Sequence, residues 1–202
     1  TTDSGAGLYC VDSYPTIAFC VFKDNNAGIS NPLTHGGSIS ANYSEITLEN
    51  VWIYDNYAAG QGGAVYAAHS TINATHVLVV DNGANVKGGA FSFYKSSGTL
   101  DHVTIANDSA QIEGGALFMH ESEVSFTNSI VWGSSPQQIA FSEYGDPSLV
   151  NIHYSILDEY VTGVETNNNG TVNFGLFDVF DDDPLFCAVN SGDYQLAEKC
   201  HH

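Results

Sequence analysis

Gly62-Gly63-Ala64-Val65-Tyr66-Ala67, Gly88-Gly89-Ala90-Phe91-Ser92-Phe93 and Gly114-Gly115-Ala116-Leu117-Phe118-Met119 are one phrase written three times at a constant spacing of 26 residues. Gly36-Gly37 opens a fourth copy at the same spacing. The offset keeps apolar positions in register as columns. Ile39, Val65, Phe91 and Leu117 form one, and Ala41, Ala67, Phe93 and Met119 the next. Leu48, Ala74, Leu100 and Phe126 form a third. Val51, Val77, Val103 and Ser129, then Ile53, Val79, Ile105 and Val131, complete the set. A fixed period of this length without an internal helical pattern signals a stacked repeat.

Inside each period apolar residues alternate with polar or small ones, so each period holds short strands with one buried face. About three such runs per period are separated by Gly, Asn, Asp and Ser, which suit bends. One coil cannot bury its own inner face, so coils must stack. The expected fold is therefore all-β: a single-stranded, right-handed parallel β-helix (a β-solenoid) of about 26 residues per coil, right-handed crossover being the default for parallel strands. Ala90, beside its Gly pair, is expected to face outward, and Phe93 inward. One domain spans 1–202: a first coil at 1–26, regular coils over 27–135, and a last coil with an irregular C-terminal cap at 136–202. The connection at Asn31-Pro32-Leu33 reads as a loop. Ile139, Phe141, Val150, Ile152 and Tyr154 are the expected apolar positions of the last coil. His201 and His202 are read as the start of a purification tag.

Glycine 5 to asparagine 25, GAGLYCVDSYPTIAFCVFKDN, resembles a repeat of the right-handed parallel β-helix proteins of bacterial cell surfaces and secretions. FTNSIVWGSS, YSILDEYVTG, DDDPLF and SGDYQL resemble the way such domains finish. The Gly-Gly-Ala…Asp-Asn rhythm is also similar to the repeats of polymorphic outer-membrane proteins. The resemblance implies a secreted or surface-displayed module. It does not fix an activity, because this scaffold hosts lyases, hydrolases, adhesins and inert stalks.

Charge narrows the partners. Lys and Arg number 4 against 23 Asp and Glu, Arg is absent, and the net charge is −19. Such a field repels nucleic acid, anionic membranes and polyanionic glycans. No segment has the length of a membrane-spanning helix, and the chain opens partway through a repeat, so it is expected to be part of a longer protein. Uronate lyases need a basic group and cations to neutralise the carboxylate, and the four Lys residues (23, 87, 95 and 199) share no column. Thr34-His35-Gly36-Gly37 only partly echoes the Gly-His-Gly of polygalacturonases. The expected role is structural, adhesive or glycan-binding, with a polysaccharide or a surface protein as partner and no catalysis. A polysaccharide lyase or glycoside hydrolase is the alternative, for which Glu121 and Glu123 are the carboxylate pair to consider.

Five groups of side chains carry the candidate chemistry. The outer face after the Gly-Gly strand and its following bend hold Tyr66, His69, Tyr94, Lys95, Phe118, His120 and Glu121, rings and charges suited to a sugar. Tyr43 begins the same bend column. Asn25, Asn56, Asn82 and Asp108, beside Asp24, Asp55, Asp81 and Asn107, are expected to hydrogen-bond along the axis as a ladder, a calcium site on the stacked carboxylates being the alternative. Asn50, His76, His102 and Asn128 form another polar bend column. Asp178, Asp181, Asp182 and Asp183 are the densest acidic cluster and the candidate calcium ligands; no other cofactor is implied. Cys10 and Cys20 are expected to point inward, either as small buried hydrophobes or as a cross-core disulfide, and Cys187 and Cys200 can staple the C-terminal segment.

Overall fold

The computed structural model describes residues 4–28, 34–175, 178–189 and 193–196. The Asn31-Pro32-Leu33 loop, Lys199, Cys200, His201 and His202 lie outside these. The described chain is a parallel β-solenoid of about five turns. One sheet stacks seven strands: Leu8–Val11, Ile39–Asn42, Val65–Ala68, Phe91–Tyr94, Leu117–His120, Ile139–Phe141 and Val164–Glu165. A second, of twelve strands, bends in the middle, as in the long strands Thr71–Val80 and Ser97–Ala106. A third stacks Asn26–Ala27, Tyr57–Ala58, Gly83–Ala84 and Ser109–Ala110. Pairing is parallel and in register at the repeat spacing, for example Phe91 with Leu117 and Val79 with Ile105.

The apolar columns fill the interior. Ile39, Val65, Phe91, Leu117, Leu48, Leu100, Phe126, Ile53 and Ile105 are buried in one continuous core. Ile46, Ile72, Val124 and Val150 add a further inward column. Where Phe93 needs room, the chain supplies Gly98, at which a Cβ would meet the Phe93 ring at 2.9 Å.

Every regular coil turns four left-handed corners. The third coil has Gly62 at φ 70°, His69 at 50°, His76 at 54° and Asp81 at 56°. In the Gly pair the first residue supplies the positive φ. The second supplies closeness, since a Cβ at Gly63 would sit 2.1 Å from the Gly89 carbonyl oxygen of the next coil. Ala64, Ala90 or Ala116 then leads into the strand, all three buried in the core. Ala90 therefore faces inward, contrary to the alternation counted along the strand, because the left-handed Gly corner resets which face the following residue points to.

Two corners carry hydrogen-bonded ladders. Asn25 N donates to Asn56 Oδ1 at 3.0 Å, Asn56 N to Asn82 Oδ1 at 3.0 Å, Asn82 N to Asp108 Oδ1 at 2.8 Å and Asp108 N to Ser134 Oγ at 3.2 Å. At another corner Ser44 N, Ser70 N, Ser96 N and Ser122 N donate to Oγ of Ser70, Ser96, Ser122 and Ser148 at 2.9–3.0 Å. Each hydroxyl of Ser44, Ser70, Ser96 and Ser122 in turn donates to the carbonyl two residues back. These side chains satisfy amides that the turning backbone would otherwise leave buried and unpaired.

The last and first coils each correct an expectation. Ile139, Phe141, Val150 and Ile152 are core, but Tyr154 is exposed, at a left-handed corner with φ 50°. Cys10 and Cys20 are both free: Cys10 is buried, and Cys20 is exposed in the first coil, its thiol donating to Ala18 O at 3.2 Å. It occupies the corner position of Ser129 and Ser155, whose hydroxyls also donate two residues back. Cys20 thus serves the bend and forms no bridge to Cys10. Cys187 is disulfide-bonded. Its segment, a hairpin of Phe186–Ala188 with Asp193–Leu196, folds back on the second sheet's outer face, where Tyr194 joins Val80 and Ala106 in a small apolar cluster.

Candidate functional site

The corner after the first sheet differs from the others in the residue types that hold its left-handed backbone. Tyr43, His69, Lys95 and Glu121 occupy it in successive coils at φ 47–50°. Left-handed conformation costs an ordinary L-residue about 1–2 kcal/mol, and Asn and Asp tolerate it best. Within coils two to five the matching positions at the two other side-chain corners keep to Asn, Asp, His and Gly: Asn50, His76, His102 and Asn128 at one, where Phe19 and Tyr154 are the exceptions in the flanking coils, and Asp55, Asp81, Asn107 and Gly133 at the other. The Tyr-His-Lys-Glu corner does not.

Stacking of coils brings its side chains into contact. The Tyr43 and His69 rings lie 4.8 Å apart and nearly parallel, at 4°. Just before the corner, Tyr94 and His120 stack at 4.8 Å and 3°. The His69 ring meets Tyr94 edge-on at 5.6 Å. The two stacked distances match the inter-strand spacing of a sheet, so these rings stack because the coils do. Lys95 Nζ reaches Glu121 Oε2 at 3.1 Å, and His120 Nε2 lies 3.2 Å from Glu121 Oε1. The hydrogen bond from Lys95 holds the Glu121 carboxyl below its usual range, and the same bond holds the Lys95 ammonium above its own. Beside the stack runs an open cleft of about 660 Å3 lined by His69, Thr71, Lys95, Ser97, Glu121, Glu123 and Asp146 among others.

Of the residues singled out in the sequence, His69, Tyr94, Lys95, His120 and Glu121 share this corner. Tyr66 and Phe118 do not contribute an open surface. Phe118 is only 4% exposed, with Lys87 Nζ 4.4 Å above its ring. Tyr66 is stacked under His35 at 4.5 Å, and burial pushes its phenol above the usual range. The cause is a column before each Gly pair, His35, Gln61, Lys87 and Glu113, which reaches over the outer residue of the next coil. Ser92 Oγ donates to Gln61 Oε1 at 2.9 Å in the same way. Lys87 Nζ is also bound to Glu113 Oε2 at 2.7 Å. His35 Nδ1 accepts from Gln61 N at 2.9 Å, and burial lowers its pKa, so it is a structural imidazole. Expecting Phe118 on the surface overlooked this roof, although the 26-residue spacing of its column was there to be read.

The polar column of His76 and His102 is a bend ladder, its rings 4.9 Å apart and tilted, with His102 Nδ1 3.1 Å from Asp101 Oδ2. The acidic cluster is dispersed. Asp178 Oδ2 lies 3.4 Å from His153 Nδ1, Asp183 Oδ1 accepts from Leu185 N at 2.8 Å, and Asp181 and Asp182 are exposed. Among the described residues no three His, Cys, Asp or Glu side chains converge as a metal-binding group.

No family model, curated protein or solved structure matches the chain. The reading of function therefore rests on this geometry.

Proposed function

We propose that the protein is a non-catalytic binding module, a stiff β-solenoid of a secreted or surface-displayed protein that holds a neutral glycan along the Tyr43–His69–Lys95–Glu121 corner. One observation carries the reading: within coils two to five, this corner alone holds residues of types that tolerate left-handed backbone poorly (Tyr43, Lys95 and Glu121), and His69, Lys95 and Glu121 line one open cleft, with Tyr43 stacked on His69. Local strain of this kind persists where a side chain is needed for something other than the fold. Rings accept the apolar face of a sugar, and the flanking Lys95, Glu121, Thr71 and Ser97 offer donors and acceptors to its hydroxyls. The net charge of −19 favours a neutral sugar over a uronate.

The catalytic alternative is less well supported. A glycoside hydrolase needs one carboxyl kept neutral as the acid. Glu121, the one of the two candidate carboxylates that sits at the corner, is held ionised by Lys95. A size-resolved panel of neutral and acidic oligosaccharides tests the reading. Saturable binding of a neutral chain without product formation is expected. Turnover of any member, or binding confined to uronates, would overturn it.

A further inference from the structure

On another face of the solenoid, a cleft of about 800 Å3 opens between the C-terminal hairpin and the outer side of the second sheet. Its floor carries Trp52, 56% exposed, and Tyr54 two residues on, so both rings lie on the same side of one strand. At the edge stand Asp55 and Asp81, which occupy the same corner in successive coils. The far wall holds Asp193 and Tyr194, whose hydroxyl donates to Asp81 Oδ2 at 2.9 Å.

The chain itself places a cation here. Lys23 Nζ sits 5.0 Å from the Tyr54 ring centroid and 3.8 Å from Asp55 Oδ2. That is an ammonium held between a ring and a carboxylate, with Lys23 the one cation among the described residues that line the cleft. The same elements recur one step away without an internal cation: the Trp52 indole, and the Asp81 carboxyl, which meets a neutral hydroxyl. Burial, with Asp55 adding repulsion, keeps Asp81 above the usual carboxylate range, the signature of a carboxylate short of positive charge.

We propose that this cleft receives an arginine or lysine side chain from a basic polypeptide segment, stacked on Trp52 and paired with the acidic rim, Asp81 together with its neighbours Asp55 and Asp193. A planar guanidinium satisfies both demands at once, a flat face for the indole and paired donors for a carboxylate. The volume exceeds one side chain and accommodates neighbouring residues of the segment. The chain's negative field would steer such a partner toward it. This inference is independent of the glycan reading and concerns a different face.

The test uses the chain's two tryptophans. Trp132→Phe leaves Trp52 as the sole reporter, and the probe is an octa-arginine peptide in about 0.15 M NaCl, where long-range attraction is screened. Saturable perturbation of Trp52 emission is expected. Asp55→Asn with Asp193→Asn should weaken it by about tenfold or more. Asn suits the left-handed corner at 55, and at 193 it keeps the oxygen that accepts from Gln195 N. Glu143→Gln with Glu165→Gln removes the same charge from exposed positions outside the cleft and should weaken binding little. Equal weakening by both pairs, silence of Trp52 with the peptide, or a response to a neutral hexasaccharide instead would overturn the proposal. Should Trp132→Phe fail to fold, calorimetry on the unsubstituted chain and the two charge pairs reads the same comparison.

Discussion

Asn82 gives Asp108 both of its donors: its backbone N–H at 2.8 Å and its side-chain Nδ2 at 2.9 Å converge on Asp108 Oδ1. Asn82 Nδ2 also donates to Ile53 O and Val80 O, each at 3.0 Å. One coil on, the equivalent carbonyls belong to Val79 and Ala106. There Asp108 Oδ2 stands where an asparagine would present its amide, buried and without a hydrogen-bond partner. Only the protonated acid can donate from that atom. Burial drives the Asp108 carboxyl well above its usual range, more strongly than the Asn82 bonds lower it.

Asp108→Asn should therefore stabilise the fold at neutral pH by about 1–3 kcal/mol, the cost of an unsatisfied buried polar group. The sign with pH follows from the raised native pKa. The native state holds the proton more tightly than the unfolded chain, so this contribution is fully present below the unfolded carboxylate pKa and is lost as pH rises through the native one. The gap between variant and parent in denaturant melts should open with rising pH and nearly close at about pH 4. A gap that is constant with pH would show that Asp108 does not titrate in the ladder.

The serine corner makes a second prediction. Ser96 Oγ accepts from Ser70 N and donates to Tyr94 O, both within 2.9 Å. Ser96→Ala leaves a buried amide without its acceptor and should cost about 1–3 kcal/mol. An unchanged denaturant midpoint would mean the ladder is ornamental.

Core register is tested by charge. Phe93→Asp places a carboxylate among fully buried side chains and should cost several kcal/mol, whereas Tyr144→Asp, at an exposed position, should be nearly silent. Ala90→Glu should behave like Phe93→Asp, since Ala90 is buried. Comparable melts for Ala90→Glu and Tyr144→Asp would contradict the inward Ala column.

The strained corner separates stability from binding. Lys95→Asn suits a φ of 49° better and should hold or raise thermal stability by up to about 1 kcal/mol, while weakening the glycan interaction. The exposed Lys95–Glu121 pair offsets little of that gain. A variant that loses stability and keeps full binding would reverse the assignment of Lys95.

Much of the fold was legible because it lies in spacing. Val65, Phe91 and Leu117 repeat every 26 residues, and strand alternation makes their column an inner face. The asparagine ladder was legible for the same reason. Ala90 was not, because the left-handed glycine before it resets the alternation. The serine ladder escaped because Ser44, Ser70 and Ser96 read only as bend residues, and it is the neighbouring coils that bury them and call on their hydroxyls. Phe118 was misplaced because its roof comes from Lys87, in the coil before. Tyr43, Lys95 and Glu121 could be placed at a bend, but nothing in those residue types announces a positive φ. The strain at their corner shows only in the folded backbone.

The central claim, that this corner is the ligand face, is tested most directly by backbone amide chemical-shift mapping with the tightest-binding neutral oligosaccharide. Shifts concentrated at Tyr43, His69, Thr71, Tyr94, Lys95, Ser97, His120 and Glu121, and lost in Tyr94→Ala, are the predicted result. Shifts centred on the Trp52 cleft or scattered over the solenoid, or a map unchanged by Tyr94→Ala, would contradict it.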